Sequence, residues 1–251
     1  MLRRTFLHLP SVGPRRELAI WRAGILHWDE FLRKGANALP PGLYAAGRPV
    51  VEASLAALAR PNGLAELASL VPPAEHWRFW PTYRRVLYLD IETGGDPEDW
   101  GGITVVGVYD GQEVTQYVAG HNLWDLRHAL MGAEILVTFA GGNFDLPVLR
   151  GVFSDLRLPP VHIDLRWVLR RLGLKGGLKA IERRLGLERP PLVAGLGGMD
   201  AVNLWHSYTR GDMTALETLL DYNAWDILNL KPLLELACTR LRDQMLDRLI
   251  A

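Results

Sequence analysis

The protein has 251 residues, of which 49% are hydrophobic and 22% are charged, and its formal net charge at pH 7 is +0. A chain of this size and composition can bury the core of one large domain, or of one medium domain and a small one. The balanced charge excludes a global field that would draw the protein to nucleic acid or to an anionic membrane, so any basic surface must be local.

The first 80 residues predict a small helical domain. The positively charged N-terminus has an apolar run too short for a signal-peptide core or a membrane span. Residues 18–32 and 52–70 carry apolar side chains at helical spacing. Residues 9–18 look like a helix-hairpin-helix segment in which Gly13 would bind a DNA phosphate, with a purely structural turn as the alternative. Prolines between Pro72 and Pro81 predict a linker.

From residue 85 the pattern changes to that of an α/β domain, which we place at residues 85–245. Strands are predicted at residues 86–89, 103–109, 113–118, 135–139 and 161–163, and helices at 123–131, 144–152 and from about 165 to the end. Asp110-Gly111 between the second and third strands is a strong hairpin signal. The single cysteine, Cys238, excludes an internal disulfide framework and fits a reducing compartment. With the absence of a membrane span, it predicts a cytoplasmic protein.

Two carboxylates stand at the end of the first strand. Since strand side chains alternate, Asp90 and Glu92 project from the same face. Carboxylates that close together need a cation, a proton or solvent to coexist. Taken alone, the pair also fits a solvated strand end that enters the polar loop 93–99.

Two later segments carry further acidic residues. Asp145 follows the strand at residues 135–139, after the glycines Gly141 and Gly142, and falls near the start of a helix. Tyr222 and Asp226 are four residues apart in a helical stretch, so they lie on one helix face. Each feature alone also fits an ordinary role, a helix-start aspartate or a helix-surface pair.

The three segments together resemble a known family. Leu89-Asp90-Ile91-Glu92-Thr93, Asn143-Phe144-Asp145-Leu146-Pro147 and the segment from Tyr222 to Asp226 are similar, in this order, to the three motifs of the DEDD (DnaQ-like) superfamily of 3′–5′ exonucleases. The tyrosine in the third motif is typical of the DEDDy branch, and the chain looks most like YprB-type bacterial ribonuclease H-like proteins. The resemblance covers residues 85–235. One position departs from it, because Ala140 stands where relatives often have asparagine.

This resemblance implies a ribonuclease H-like fold, with a mixed five-stranded sheet flanked by helices, and a two-metal-ion mechanism. Two Mg²⁺ or Mn²⁺ ions suit an all-carboxylate site without histidine or cysteine. Asp90 would bridge both metals, Glu92 and Asp226 would hold the metal on the nucleophile's side, and Asp145 would act on the other largely through water. Tyr222 would orient the attacking water rather than deprotonate it.

The expected substrate is the 3′ end of single-stranded DNA or RNA. Thr93, Asn143 and Phe144 are predicted to contact it beside the motifs, and Lys179 follows Gly176-Gly177 at a helix start suited to phosphate. Residues 166–189 hold eight basic and two acidic side chains, which favours phosphate contacts or simply a solvated helix face. Two alternatives remain, a non-catalytic nucleic-acid-binding module and a ribonuclease H-type endonuclease. The sequence does not choose between DNA and RNA.

Overall fold

A computed structural model describes residues 1–250 of the protein and the side chains of residues 1–249. The chain divides into two compact units: Met1–Arg84 together with the residues from Cys238 onward, and Arg85–Ala237. Among the residues described, no helix combines the length and the hydropathy needed to cross a membrane. The domain boundaries drawn from the sequence stay a prediction.

The N-terminal unit is helical. Its α-helices are α1 (Pro14–Arg22), α2 (Trp28–Ala38), α3 (Pro41–Ala59) and α4 (Leu64–Leu70), followed by a 3₁₀ helix at Pro73–Phe79. Gly13 caps α1, and the segment before it contains turns and a 3₁₀ turn at Leu2–Arg4. The core includes a buried ion-pair network in which Arg78 bridges Glu17, at 2.8 Å, and Glu75, at 2.6 Å. Since Arg78 satisfies both carboxylates, their burial is tolerated.

The second unit is built on a sheet. Its strands are β1 (Val86–Thr93), β2 (Ile103–Tyr109), β3 (Val114–Val118), β4 (Ile135–Thr138) and β5 (Val161–Asp164). The order is β3-β2-β1-β4-β5, with β1 antiparallel to β2, β2 antiparallel to β3, and β1, β4 and β5 parallel. This is a ribonuclease H-like α/β fold, and the predicted mixed five-stranded sheet is confirmed.

Helices flank this sheet. They are α5 (Leu126–Ala129), α6 (Asp145–Val152), α7 (Leu165–Arg171), α8 (Leu178–Leu185), α9 (Pro191–Ala194), α10 (Gly198–Thr209), α11 (Met213–Leu228) and α12 (Leu230–Ile250), whose residues from Cys238 group with the N-terminal unit. Helix α11 packs on β1 and β2, with Leu219 fully buried in the core. The C-terminal half of α11 therefore carries Tyr222 and Asp226 over β1.

Strand β1 extends beyond its apolar run and includes both carboxylates of the first motif. The predicted apolar run covers residues 86–89 with Asp90-Ile91-Glu92 at the strand end, and β1 continues to Thr93 because Asp90, Ile91 and Glu92 pair with Gly107, Val106 and Val105 of β2. The register shifts between Glu92 and Thr93, so the ladder ends with a bulge there. The two carboxylates consequently project from a hydrogen-bonded strand at the centre of the sheet.

Candidate metal centre and nucleic-acid site

Three carboxylates converge over the central strand. One ligand oxygen each of Asp90, Glu92 and Asp226 lies within 4.8 Å of the others. Glu92 and Asp226 are buried and Asp90 is partly buried. The alternation of β1 places the first two on one face, and helix α11 supplies the third. The sequence prediction that Asp90, Glu92 and Asp226 come together agrees with this geometry.

The carboxylates do not ionise easily in this arrangement. Burial, and then the neighbouring Asp226, Glu92 and Asp145, raise the pKa of Asp90 well above its ordinary value. Burial and the charge of Asp226 raise the pKa of Glu92 to about 8. Burial raises the pKa of Asp226 as well. Such a site binds protons or cations in preference to remaining a bare anion cluster.

The residues fit a hard divalent cation. The donors are all carboxylate oxygens, the type that Mg²⁺ and Mn²⁺ prefer. Oε1 of Glu92 is buried and accepts no hydrogen bond from the described protein groups. A bound metal ion would satisfy this oxygen. The chemistry of the donor set therefore fits a hard divalent cation held by Asp90, Glu92 and Asp226.

Asp145 lies next to this cluster rather than in it. It begins helix α6, is buried, and its Oδ1 accepts a hydrogen bond from the backbone N–H of Ile91 at 3.3 Å. Burial raises its pKa to about 6, against the lowering effect of backbone hydrogen bonds that include Ile91. One carboxylate oxygen is thus tied to β1, which places Asp145 beside Asp90 and Glu92.

Lys179 and Tyr222 form a second contact at the site. Lys179, in the first turn of α8, donates a hydrogen bond to the Tyr222 hydroxyl at 2.8 Å and another to the carbonyl of Leu196. Its Nζ also lies 4.1 Å from the centre of the Tyr222 ring. Burial, with the charge of Asp226 next, raises the pKa of the Tyr222 phenol. The hydroxyl therefore stays protonated, and Lys179 fixes its position.

Arg189 is a site residue that the sequence analysis did not single out. Its Nη1 lies 2.6 Å from Oδ1 of Asp226, and its Nε and Nη2 donate to the two oxygens of Glu182 at 2.7 and 2.6 Å. Asn229 donates to Glu182 as well, at 3.0 Å. The side chains of Arg189 and Glu182 are only 4% and 2% exposed. They therefore form a buried network that fixes the position of the Asp226 carboxylate.

Asn223 supports the other side of the cluster. It is fully buried, and its Nδ2 lies 3.5 Å from both the backbone oxygen and Oδ2 of Asp90. Gln116 on β3 donates to its Oδ1 at 3.1 Å. A side chain at Gly107 would meet that Oδ1 at 2.1 Å, so only glycine leaves room there. Asn223 lies within the third motif, but no sequence signal marked Gln116 or Gly107.

The predicted substrate-contacting residues differ in exposure and in their place in the fold. Thr93 ends β1 and is partly buried, Asn143 is exposed, and Phe144 presents a ring that is 49% exposed immediately before Asp145. Lys179 points at Tyr222, as described above. Gly13 belongs to the N-terminal unit, and its role in phosphate binding stays a prediction.

Ala140 adopts an unusual backbone conformation. Its φ is +67°, a left-handed value that asparagine and glycine tolerate better than alanine. Its N–H donates to Oδ1 of Asp164 at 2.8 Å, and the same oxygen caps α7 through the N–H of Arg166. Asparagine would suit this conformation better, whereas the alanine found here bears its strain.

Comparisons with known proteins fit the fold. The family model of the RNase_H superfamily matches residues 87–238. No curated protein matches the chain. The family B DNA polymerase from the hyperthermophilic archaeon Pyrobaculum calidifontis is similar at 16% identity and a TM-score of 0.47, over 60% of this chain and 24% of the polymerase.

Two further solved structures are similar at low identity. Escherichia coli RNase D, an exoribonuclease involved in structured RNA processing, is 17% identical with a TM-score of 0.42, over 75% of this chain and 49% of its own. The Aedes aegypti Nibbler EXO domain is 12% identical with a TM-score of 0.38, over 76% of this chain and 93% of its own. The chain thus spans about a quarter of the polymerase and about half of RNase D. Because the family model covers more than half of the chain, on the strands and helix that carry the acidic cluster, the protein belongs to the RNase_H superfamily.

Proposed function

We propose that the protein is a metal-dependent 3′–5′ exonuclease that hydrolyses phosphodiester bonds of single-stranded DNA or RNA. It would belong to the tyrosine branch of the DEDD superfamily, as a YprB-type protein. The observation that carries the proposal is the convergence of Asp90, Glu92 and Asp226 within 4.8 Å, in a chain of the RNase_H superfamily that also places a tyrosine on the third motif.

The carboxylates have distinct places in this proposal. Asp90 is central, because it lies on β1 between Glu92, Asp226 and Asp145, all of which raise its pKa through their charge. Glu92 and Asp226 would hold one cation with it, and Asp145 would support a second through water. Two bound Mg²⁺ or Mn²⁺ ions supply an activated water and stabilise charge on the scissile phosphate and the leaving oxygen.

Tyr222 and Lys179 orient the reacting groups. A phenol that stays protonated cannot act as a base near neutral pH, but it can hold a water molecule by a hydrogen bond. Lys179 fixes the phenol oxygen at 2.8 Å, so the remaining hydrogen-bonding capacity of Tyr222 points in one direction. Its ammonium also places positive charge beside the position of the scissile phosphate, which favours the transition state.

Phe144, Asn143 and Thr93 would bind the terminal nucleotide. The half-exposed ring of Phe144 offers a face for a base, and Asn143 is an exposed donor and acceptor on the same turn. These contacts suit a splayed single strand better than a duplex, whose bases are already stacked. The exposed ring therefore supports a single-stranded substrate.

The end at which label is released tests the proposal. Single-stranded DNA and RNA carrying either a 5′ or a 3′ label are incubated with Mg²⁺ or Mn²⁺, with EDTA, and with the Asp90→Asn variant. We expect the 3′ label to leave first as a mononucleotide and the 5′ label to give a descending ladder, with both reactions lost in EDTA and in the variant. Labelled oligomers from the 3′-labelled strand would indicate an endonuclease instead. No product from the folded, metal-loaded protein would indicate a binding module.

A further inference from the structure

A cleft separate from the acidic cluster opens beside helix α7. It holds about 180 Å³. We call it the basic cleft; its lining residues are Phe139, Arg166, Arg170, Leu174, Lys175, Gly176 and Gly177. None of these seven described lining residues is acidic. Its wall thus combines three cationic side chains with a glycine pair that leaves the backbone accessible.

The three cations of the basic cleft are available to a ligand. Arg166, Arg170 and Lys175 are exposed, and none of them forms an ion pair with a carboxylate among the side chains that the structure describes. Other cations of this region are already engaged, since Arg189 is paired with Glu182 and Asp226. Unpaired cations gathered around one concavity in a chain without net charge favour a polyanion.

An aromatic ring lies between two of these cations. Trp167 is 46% exposed, and the guanidinium carbons of Arg166 and Arg170 are 5.9 and 5.7 Å from its ring centre. An exposed ring beside a basic groove is the combination by which proteins hold single-stranded nucleic acid, because phosphates pair with the cations and a base stacks on the ring. A ligand with phosphate alone would make no use of Trp167.

The chain connects the basic cleft to the acidic site. Gly177, on the cleft wall, precedes helix α8, and Lys179 two residues later donates to Tyr222. Two residues of extended chain span at most about 7 Å. A strand whose 3′ end lies at Asp90 and Tyr222 can therefore continue into the cleft within a few nucleotides.

We propose that the basic cleft and Trp167 bind single-stranded nucleic acid on the 5′ side of the scissile bond, with a backbone phosphate in the cleft and a base on Trp167. This inference rests on the proposed function, because a 3′ exonuclease leaves the rest of its strand on the 5′ side. Arg166, Arg170 and Lys175 would give the affinity for the strand, whereas the carboxylates would give the chemistry.

Binding is measured by fluorescence anisotropy of a 5′-labelled single-stranded decamer in EDTA, so that no hydrolysis occurs. The double variant Arg166→Gln and Arg170→Gln is compared with a matched double variant, Arg183→Gln and Arg184→Gln, which changes the same charge at exposed residues of α8 outside the cleft. We expect the cleft variant to bind about tenfold or more weakly, with a salt dependence shallower by about 0.7 for each phosphate that the protein no longer neutralises. The matched variant should bind like the wild type.

Trp167→Ala supplies a second, charge-neutral test. Loss of a stacked base should weaken binding about fivefold or more with the salt dependence unchanged. Equal losses in the two arginine double variants, or wild-type binding by the cleft variant, would overturn the proposal. Because the binding measurement uses no metal, it is independent of the label-release assay. An inactive wild type whose binding depends on the cleft would reject the nuclease function but support the cleft as a binding site. An active wild type whose binding does not depend on the cleft would reject only the role of the cleft.

Discussion

Lys179 donates a hydrogen bond to the hydroxyl of Tyr222 at 2.8 Å, and its ammonium lies 4.1 Å from the centre of the tyrosine ring. Residues 43 positions apart are thereby joined at the edge of the acidic cluster. Burial lowers the pKa of Lys179, but the nearby Asp226 and Glu92 favour its charged form. The pair thus sets a protonated phenol beside a cation.

Removing either partner should slow hydrolysis. Tyr222→Phe keeps the ring and loses the hydroxyl, and Lys179→Met keeps the stem and loses the donor. We expect each to lower kcat by about 100-fold, the cost of misplacing a reacting group by about 1 Å, with a smaller change in KM. The kcat of the double variant should be no lower than that of the less active single variant, because the two residues act as a unit. Arg183→Gln on the same helix is the control, and additive losses would argue against a shared role.

Arg189 should be a large contributor to stability. Its guanidinium bridges Glu182 and Asp226 in a buried network, so Arg189→Met leaves two buried carboxylates without their cation. We expect a loss of about 3 kcal/mol or more in the free energy of unfolding, measured with urea. Arg189→Lys keeps the positive charge but cannot donate to both carboxylates as the planar guanidinium does, so its loss of unfolding free energy should be intermediate. A loss below about 1 kcal/mol for Arg189→Met would mean that protons replace the guanidinium at little cost.

Much of the site was predictable because it depends on local patterns. The period-two alternation placed Asp90 and Glu92 on one face, and the helical spacing stacked Tyr222 over Asp226. The bulge between Glu92 and Thr93 was not predictable, since it arises where the pairing of β1 with β2 changes register, a tertiary effect. In the sequence, Arg189 was only one member of a basic stretch. Its partner Asp226 is distant in sequence, and only the fold brings the two together.

The strain at Ala140 predicts a stabilising substitution. A left-handed conformation costs a residue with a Cβ atom about 1–2 kcal/mol. Ala140→Gly would relieve part of this strain because glycine has no Cβ atom, and Ala140→Asn would relieve part of it because asparagine tolerates this region better than alanine. We expect the melting temperature to rise by about 2–4 °C in thermal unfolding, which corresponds to about 1 kcal/mol. Ala180→Gly, at an exposed position inside α8, should instead lower it. Similar losses at both positions would contradict the strain.

The acidic cluster makes stability depend on pH in a specific direction. The pKa of Glu92 is raised from 4.5 to about 8 by folding, so between these values the folded protein holds a proton that the unfolded chain has lost. The free energy of unfolding in EDTA should therefore fall as the pH rises from about 4.5 to 8. The raised pKa of Asp145, about 6, acts in the same direction.

Urea unfolding in EDTA at several pH values measures this dependence. Glu92→Gln mimics the protonated side chain and should flatten the slope. Added Mg²⁺ should stabilise the protein more at pH 8 than at pH 5.5, because metal ligands must lose their protons. A free energy of unfolding that rises with pH across this window in the metal-free protein would show that the cluster is not held protonated.

The most direct test of the account is the rate at which a 5′-labelled single strand is shortened from its 3′ end in Mg²⁺. The wild type is compared with Asp226→Asn and with Asp221→Asn. Asp221 is exposed on the same helix, five residues before Asp226, so it controls for the loss of one negative charge. We expect Asp226→Asn to lose at least about 100-fold in rate, beyond what removal of an outer partner of a metal ligand costs, and Asp221→Asn to match the wild type. Wild-type laddering by the folded Asp226→Asn variant would contradict the assignment of the acidic cluster as the catalytic centre.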